Sequence, residues 1–148
     1  MATPLSLKGR ALRLLSGREH SRLELTQKLK AHEEQPGQLT RVLDELQAKG
    51  FIDEQRVVDS VLYRRSAKLG AARIRQELQA KGLPPDAVQA ATAQLQASEL
   101  ERARAVWQKK FGAVAATPEA RAKQLRFLAA RGFAPAVLSR VVAGGEDD

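Results

Sequence analysis

An internal repeat with a period of about 50 residues is the feature that most constrains this chain. A shift of 49 places Leu25, Leu29, Pro36, Leu39, Val42 and Leu46 on Ile74, Leu78, Pro85, Val88, Ala91 and Leu95. A further shift of 50 places Leu78, Gly82, Leu83, Pro85 and Val88 on Leu128, Gly132, Phe133, Pro135 and Leu138. A unit this short cannot bury its apolar face alone, so it must pack on its neighbours. We therefore expect three units at about 5–50, 51–97 and 98–143, followed by an acidic tail at 144–148.

The composition predicts that each unit is helical. Apolar residues make up 43% of the chain and aromatic residues only 4%. Leu and Ala, both strong helix formers, dominate the apolar positions, and runs of β-branched residues typical of strands are missing. The expected fold class is all-α: three tandem three-helix units that form an elongated array, with room to curve around a large partner.

Caps and glycine stops predict the helix limits. Ser21–Glu24 and Ser98–Glu101 match the capping box, in which serine and glutamate satisfy free N–H groups at a helix start. Asp53 and Thr117 are expected N-caps, and the first helix is expected over Leu5–Ser16. Three similar stops end helices: Lys49-Gly50-Phe51, Lys81-Gly82-Leu83 and Arg131-Gly132-Phe133.

Helical spacing predicts the side chains that face the three cores. They are Leu12, Leu15, Leu25, Leu29, Leu39, Val42, Leu43, Leu46, Val57, Val58, Val61, Leu62, Ile74, Leu78, Val88, Ala91, Leu95, Ala103, Val106, Leu125, Leu128, Ala129, Val137, Leu138 and Val141. Trp107 lies at helical spacing with Ala103 and Val106, and Lys110 follows along the same side. The pattern therefore favours a core role for Trp107 over base stacking, whereas Tyr63 is compatible with either.

The charge pattern points to an anionic partner. The formal net charge is +8. Residues 63–81 hold six Lys or Arg against one acid, and residues 102–131 hold eight against one, so the remainder of the chain is net acidic. Nucleic acid, an acidic protein surface or a membrane would each fit this pattern. The alternative is that these cations lie on solvated helix faces or in i,i+4 pairs such as Arg73–Glu77 and Glu119–Lys123.

Residues that would carry out catalysis are missing from the pattern. Cysteine is absent, which excludes disulfides and thiolate metal sites. His20 and His32 lie outside any metal-ligand spacing and are expected to be surface polar residues. The chain contains no glycine-rich phosphate loop, and Asp53-Glu54 is explained by capping. We therefore expect no enzyme, no cofactor and no metal. The absence of a transmembrane-length apolar run and of a signal-peptide pattern leads us to expect a cytoplasmic protein.

The central segment resembles the signature of the RecX family, the bacterial regulators of the RecA recombinase. The matching positions are Gly50, Phe51, Ile52, Asp53, Glu54, Arg65, Lys68, Gly70, Arg73, Ile74, Arg75, Gln76, Glu77, Leu78, Lys81 and Gly82. The flanking units are similar to the family over about residues 8–142. Two departures are Val57-Val58, where the family usually has an aromatic residue followed by alanine, and a turn with the single glycine Gly70 where it tends to have two.

The resemblance implies a protein that binds the RecA filament on single-stranded DNA and limits filament growth, ATP hydrolysis and strand exchange. We expect it to be a monomer. The residues expected to contact the filament or its DNA are Arg64, Arg65, Lys68, Arg73, Arg75, Lys109, Lys110, Lys123, Arg126 and Arg131. A second hypothesis is a basic DNA-binding protein that affects RecA only by competing for nucleic acid. A third, an enzyme acting on nucleic acid, lacks the clustered acids or metal site that it needs.

Overall fold

The computed structural model describes residues 4–144, and these are helical throughout apart from short connections. The helices are α1 (Leu7–Gly17), α2 (Arg22–Leu29), α3 (Gln38–Ala48), α4 (Glu54–Arg65), α5 (Ala71–Ala80), α6 (Pro85–Ala97), α7 (Glu99–Lys110), α8 (Pro118–Ala130) and α9 (Pro135–Val142). One 3-10 turn, Lys30–His32, follows α2. No strand occurs among the described residues, and the predicted all-α class is confirmed. The predicted tail falls outside the described residues except for Gly144.

Side-chain caps define the starts of four of the nine α-helices in residues 4–144. The Ser21 hydroxyl accepts from the N–H of Glu24, whose carboxylate accepts from the N–H of Ser21, so the first predicted capping box is confirmed. Asp53 and Thr117 cap α4 and α8 as predicted. Helix α1 begins two residues later than predicted, because the side chain of Ser6 accepts from Gly9 and defines the start.

Each group of three helices encloses its own apolar core. The first core contains Leu7, Ala11, Leu25, Leu29, Leu39, Leu43, Leu46 and Ile52. The second contains Val57, Val58, Val61, Ala71, Ile74, Leu78, Leu83, Val88, Ala91 and Leu95. The third contains Ala103, Trp107, Leu128, Phe133, Leu138, Val141 and Val142. The predicted core role of Trp107 is confirmed, and its indole N–H donates to Gln124 Oε1 at 2.9 Å.

Three core assignments were wrong or incomplete. Ala129 is exposed, and the buried residues of α8 are the predicted Leu128 and also Gln124, which is held by Trp107 and by the carbonyl of Ala113. In α1 the buried residues are Leu7 and Ala11, whereas Leu12 and Leu15 are only partly buried. Lys110 lies at the exposed end of α7. In each case the spacing correctly predicted a helix, but the packing of the neighbouring helices determines which of its positions are buried.

The chain exposes more surface than a compact protein of its mass. Its accessible area is 9374 Å², whereas a compact protein of 16.2 kDa has about 7,500 Å². Within residues 4–144 the helices pack chiefly inside their own unit, and α6 with α7 is the main helix pair between units. The separate cores and the large surface agree with an array of small units.

Candidate functional site

The ten predicted contact residues lie on two units. Arg64 and Arg65 end α4, Lys68 lies in the connection after it, and Arg73 and Arg75 lie on α5. Lys109 and Lys110 end α7, Lys123 and Arg126 lie on α8, and Arg131 follows α8. In the structure, some of these ten side chains already bind another part of the protein through their charged groups, and others do not.

Arg64 and Arg65 share one carboxylate. Arg65 Nε lies 3.1 Å from Glu77 Oε1, and an Arg64 Nη lies 3.5 Å from Glu77 Oε2. The alternative pair considered from the sequence, Arg73–Glu77, does not form. Exposed ion pairs of this kind stabilise a fold by about 0–1 kcal/mol, so an anionic partner can exchange for Glu77 at small cost.

Arg73 is exposed, but its guanidinium already makes a hydrogen bond within the protein. Its Nη1 donates to the carbonyl of Ala130 at 2.7 Å, at the last turn of α8. A cation at a helix C-terminus satisfies a free carbonyl and interacts favourably with the helix dipole. Arg73 therefore joins α5 of the second unit to α8 of the third.

Phe127 holds two cations of the third unit. Lys110 Nζ lies 5.4 Å and Arg131 Cζ 4.4 Å from the centroid of its ring, and Phe111 contacts the same ring edge-on. The two charges are thus about 10 Å apart at most. Each cation–π contact is worth about 0.5–1 kcal/mol at an exposed site. The ring of Phe127 thus keeps two cations of the third unit near each other.

Five of the predicted cations have free charged groups. Among residues 4–144 they make neither a hydrogen bond nor an ion pair, and all are exposed: Lys68, Arg75, Lys109, Lys123 and Arg126. The pair Glu119–Lys123 considered from the sequence does not form either. Tyr63, which the sequence left open, is 90% exposed at the end of α4. These side chains are the ones most available to a partner.

Arg75 lies beside an open groove of about 570 Å³ between α5 and α6. Polar residues on its walls are Arg75, Gln79, Gln89, Thr92 and Gln96, and the remaining lining residues are Leu83, Pro85, Val88 and Ala93. Its lining contains one cation and no acid. This groove could not be predicted from the sequence, because its residues come from two helices whose relative position depends on the packing of the core.

A buried carboxylate, Glu99, joins the second and third units. It is 4% exposed, and its Oε1 accepts from the N–H of Ala71 at 2.6 Å while Oε2 accepts from the N–H of Ala134 at 3.3 Å. These N–H groups belong to the starts of α5 and α9. One side chain therefore satisfies free donors of two helices that belong to different units.

Arg102, one turn further along α7, completes this cluster. Its Nη1 donates to the carbonyls of Ser66 and Leu69 at 2.8 and 2.6 Å, and its Nη2 donates to Leu95 at 2.8 Å. Burial lowers the pKa of Arg102, and the nearby Glu99 carboxylate raises it. The predicted capping box at Ser98 is wrong: Ser98 makes no capping bond, and its hydroxyl instead accepts from Arg102 Nε at 2.9 Å.

The two joints between units use equivalent turns in different ways. At the second joint the N–H of Gly70 donates to the carbonyl of Arg131 at 2.8 Å, and a Cβ on Gly70 would collide with the backbone of Gly132. At the first joint the Gly82 turn packs against Leu23, and Lys81 pairs with Glu24 at 3.3 Å. The second joint is thus held partly by backbone, and the first by side chains.

His20 is not the surface residue that the sequence predicted. It is 2% exposed; its Nδ1 lies 3.0 Å from the carbonyl of Arg18 and its Nε2 lies 3.1 Å from Lys28 Nζ. This geometry fits a neutral ring that donates from Nδ1 and accepts at Nε2. Burial lowers the pKa of His20. His20 lies in the short connection between α1 and α2, where helical spacing does not indicate burial.

No group of three or more His, Cys, Asp or Glu residues in the described part of the chain is placed to hold a metal ion. Between residues 4 and 144, no helix combines the length and the apolar character needed to cross a membrane.

Comparisons with known proteins agree across the whole chain. Family models of the first, second and third three-helix domains of RecX match residues 8–46, 53–91 and 97–142. The regulatory protein RecX of Leptothrix cholodnii is 50% identical over 138 residues, covering 93% of this chain and 88% of that protein. That of Ralstonia nicotianae is 48% identical over 143 residues, covering 97% and 90%.

Solved structures show the same fold. A crystal structure of regulatory protein RecX superposes with a TM-score of 0.74 at 24% identity, covering 91% of this chain and 70% of that one. RecX from Lactobacillus salivarius gives a TM-score of 0.74 at 16% identity, covering 93% of each chain. Three matching domains in the family order, and relatives at up to 50% identity, lead to one conclusion: this chain belongs to the RecX family of regulatory proteins.

Proposed function

We propose that this protein is a non-enzymatic regulator of the RecA recombinase that binds RecA filaments on single-stranded DNA. Binding limits filament growth, ATP hydrolysis and strand exchange. The observation that carries the proposal is that all three units match a family of regulatory proteins. We propose further that it acts as a monomer in the cytoplasm and needs no cofactor.

The distribution of free cations supports binding to a long anionic partner. Lys68 and Arg75 lie on the second unit, and Lys109, Lys123 and Arg126 on the third. A nucleoprotein filament presents anionic groups of both its DNA and its protein along its length, so cations on successive units can bind it at several points. Affinity that depends on several phosphate contacts falls steeply as salt rises.

The test is RecA's DNA-dependent ATP hydrolysis on single-stranded DNA, with this protein titrated in at fixed moderate salt. We expect inhibition at concentrations well below those that saturate the same DNA without RecA. Incubation of DNA with the protein and magnesium tests the non-enzymatic part, because release of nucleotides would contradict it.

A second candidate function is competition for DNA. The cluster around Phe127, with Lys123 and Arg126 on the same helix, favours it because this unit alone offers several cations to phosphates. Under this alternative the protein binds bare single-stranded DNA tightly, and inhibition of RecA appears only when the DNA is coated. Weak binding to bare DNA beside strong binding to filaments would exclude it.

A further inference from the structure

We propose that the groove between α5 and α6 binds an extended peptide segment of a protein partner and pairs a carboxylate of that segment with Arg75. Phosphates bind instead to the basic surface of the third unit. This inference rests on the proposed function, because it assigns the protein and the DNA of the filament to two different surfaces.

The polar groups of the groove suit a peptide backbone. The side-chain amides of Gln79, Gln89 and Gln96 make no hydrogen bond within residues 4–144, so both their donors and their acceptors are free. A glutamine amide offers the same donor and acceptor pair as a peptide group. The Thr92 hydroxyl is already used, since it donates to the carbonyl of Val88 at 2.7 Å.

The dimensions of the groove fit a short extended segment. Gln89 and Gln96 lie seven residues apart on α6, which corresponds to about 10 Å at 1.5 Å per residue. An extended chain covers that distance in about three residues. The volume of about 570 Å³ lies within the usual range of binding clefts. Pro85 and Ala93 are the exposed apolar residues of the lining and can contact a side chain of the same segment, above the almost fully buried Leu83 and Val88.

The charges of the two surfaces separate their ligands. The groove contains a single cation, and one guanidinium is well suited to a bidentate bond with one carboxylate. Binding of a nucleic acid strand instead requires several cations along the backbone. The third unit supplies these: Lys109, Lys123 and Arg126 are free, and Lys110 and Arg131 lie together at Phe127.

Site-directed cross-linking tests the assignment directly. The chain has no cysteine, so Gln89→Cys and the matched variant Lys123→Cys each carry one label site, both on exposed helix faces. Each variant is labelled with a benzophenone maleimide, bound to RecA filaments and illuminated. We expect position 89 to cross-link to RecA protein and position 123 to DNA. Cross-linking of position 89 to DNA, or to neither component, overturns the inference.

Binding measurements give a second, independent readout. In Gln89→Ala with Gln96→Ala we expect at least tenfold weaker filament binding, with the Kd for a bare single-stranded oligonucleotide within twofold of the wild type. In Lys123→Ala with Arg126→Ala we expect the salt slope of bare-DNA binding to fall by up to about 1.4. Unchanged filament binding by the glutamine variant, or equal losses on both ligands, overturns the inference. Failure of the wild-type protein to bind filaments would instead contradict the proposed function.

Discussion

Replacing Glu99 by alanine should loosen the second unit from the third. The carboxylate accepts from the backbone N–H groups of Ala71 and Ala134 and lies 3.9 Å from the guanidinium of Arg102. Alanine removes both acceptors and the neighbouring negative charge. Water cannot easily replace them, because Glu99 is 4% exposed.

The size of the effect follows from these contacts. An unsatisfied buried donor costs about 1–3 kcal/mol. Loss of the bond to Ala71, which is buried and 2.6 Å long, should cost an amount near the upper end of this range. Loss of the bond to Ala134, which is partly buried and 3.3 Å long, should cost an amount near the lower end. Arg102 retains its bonds to three carbonyls and to Ser98, so it adds little. We expect a loss of about 3–4 kcal/mol, out of the 5–15 kcal/mol typical of folded proteins.

Urea unfolding followed by circular dichroism at 222 nm measures this loss of free energy, and thermal unfolding followed at the same wavelength measures the change in Tm. At about 2–4 °C per kcal/mol for a chain of this size, Tm should fall by roughly 10 °C. Glu101→Ala is the matched control, since Glu101 lies in the same turn of α7 and is exposed. We expect the control to change the free energy of unfolding by less than about 0.5 kcal/mol. A Glu99→Ala protein within 1 kcal/mol of the wild type would refute the bridging role of this carboxylate.

Three further perturbations test other parts of the structure. Gly70→Ala should destabilise the protein by more than about 2 kcal/mol, because the added Cβ would meet the backbone of Gly132. Gly17→Ala is the control, since a Cβ at Gly17 meets no other atom. Equal Tm values for the two variants would contradict the contact between Gly70 and Gly132. The pKa of Glu24 is lowered to about 2. Burial alone would raise this pKa, but the hydrogen bonds from Arg18 and Ser21 and the charge of Lys81 lower it by more. The folded pKa is depressed, so on the order of 3 kcal/mol of stability is present above about pH 5 and is lost as pH falls towards 2. Glu24→Gln should flatten that acid limb of the stability curve, and an unaltered limb would count against the assignment. Leu78→Asp should unfold the second unit, because Leu78 is 0% exposed and the aspartate would be buried without a partner; a wild-type melting curve would show that α5 is misplaced.

The repeat and its stops predicted the units because they act locally. A glycine after a basic residue ends a helix wherever it occurs, and apolar spacing fixes one face of each helix. Leu78 and Trp107 were therefore placed correctly without any knowledge of neighbouring units. Ser21 and Asp53 were identified as caps because their partners lie three residues away.

Contacts between segments that lie far apart in the sequence could not be predicted from such local patterns. Glu99 binds donors 28 and 35 residues away, and the nearby Ser98–Glu101 match suggested a local cap instead. Arg73 is exposed, as the sequence predicted, but its hydrogen bond to the carbonyl of Ala130, 57 residues away, has no local signal. The predicted contact residues therefore stay a prediction, and only the three-dimensional structure separates the free cations among them from those already bound within the protein.

The bridge made by Glu99 also orders events during synthesis. The second core is complete in sequence at Leu95, but the starts of α5 and α9 are joined only after Ala134 has left the ribosome. At about 5–20 residues per second, the nascent second unit waits roughly 2–8 s for its last partner. During that interval the N–H group of Gly70 lacks its final acceptor, the carbonyl of Arg131, whereas the first unit, closed by Ile52, has none of its core residues still to come. A chaperone that recognises unfinished helical units would therefore find its target in the middle of this protein.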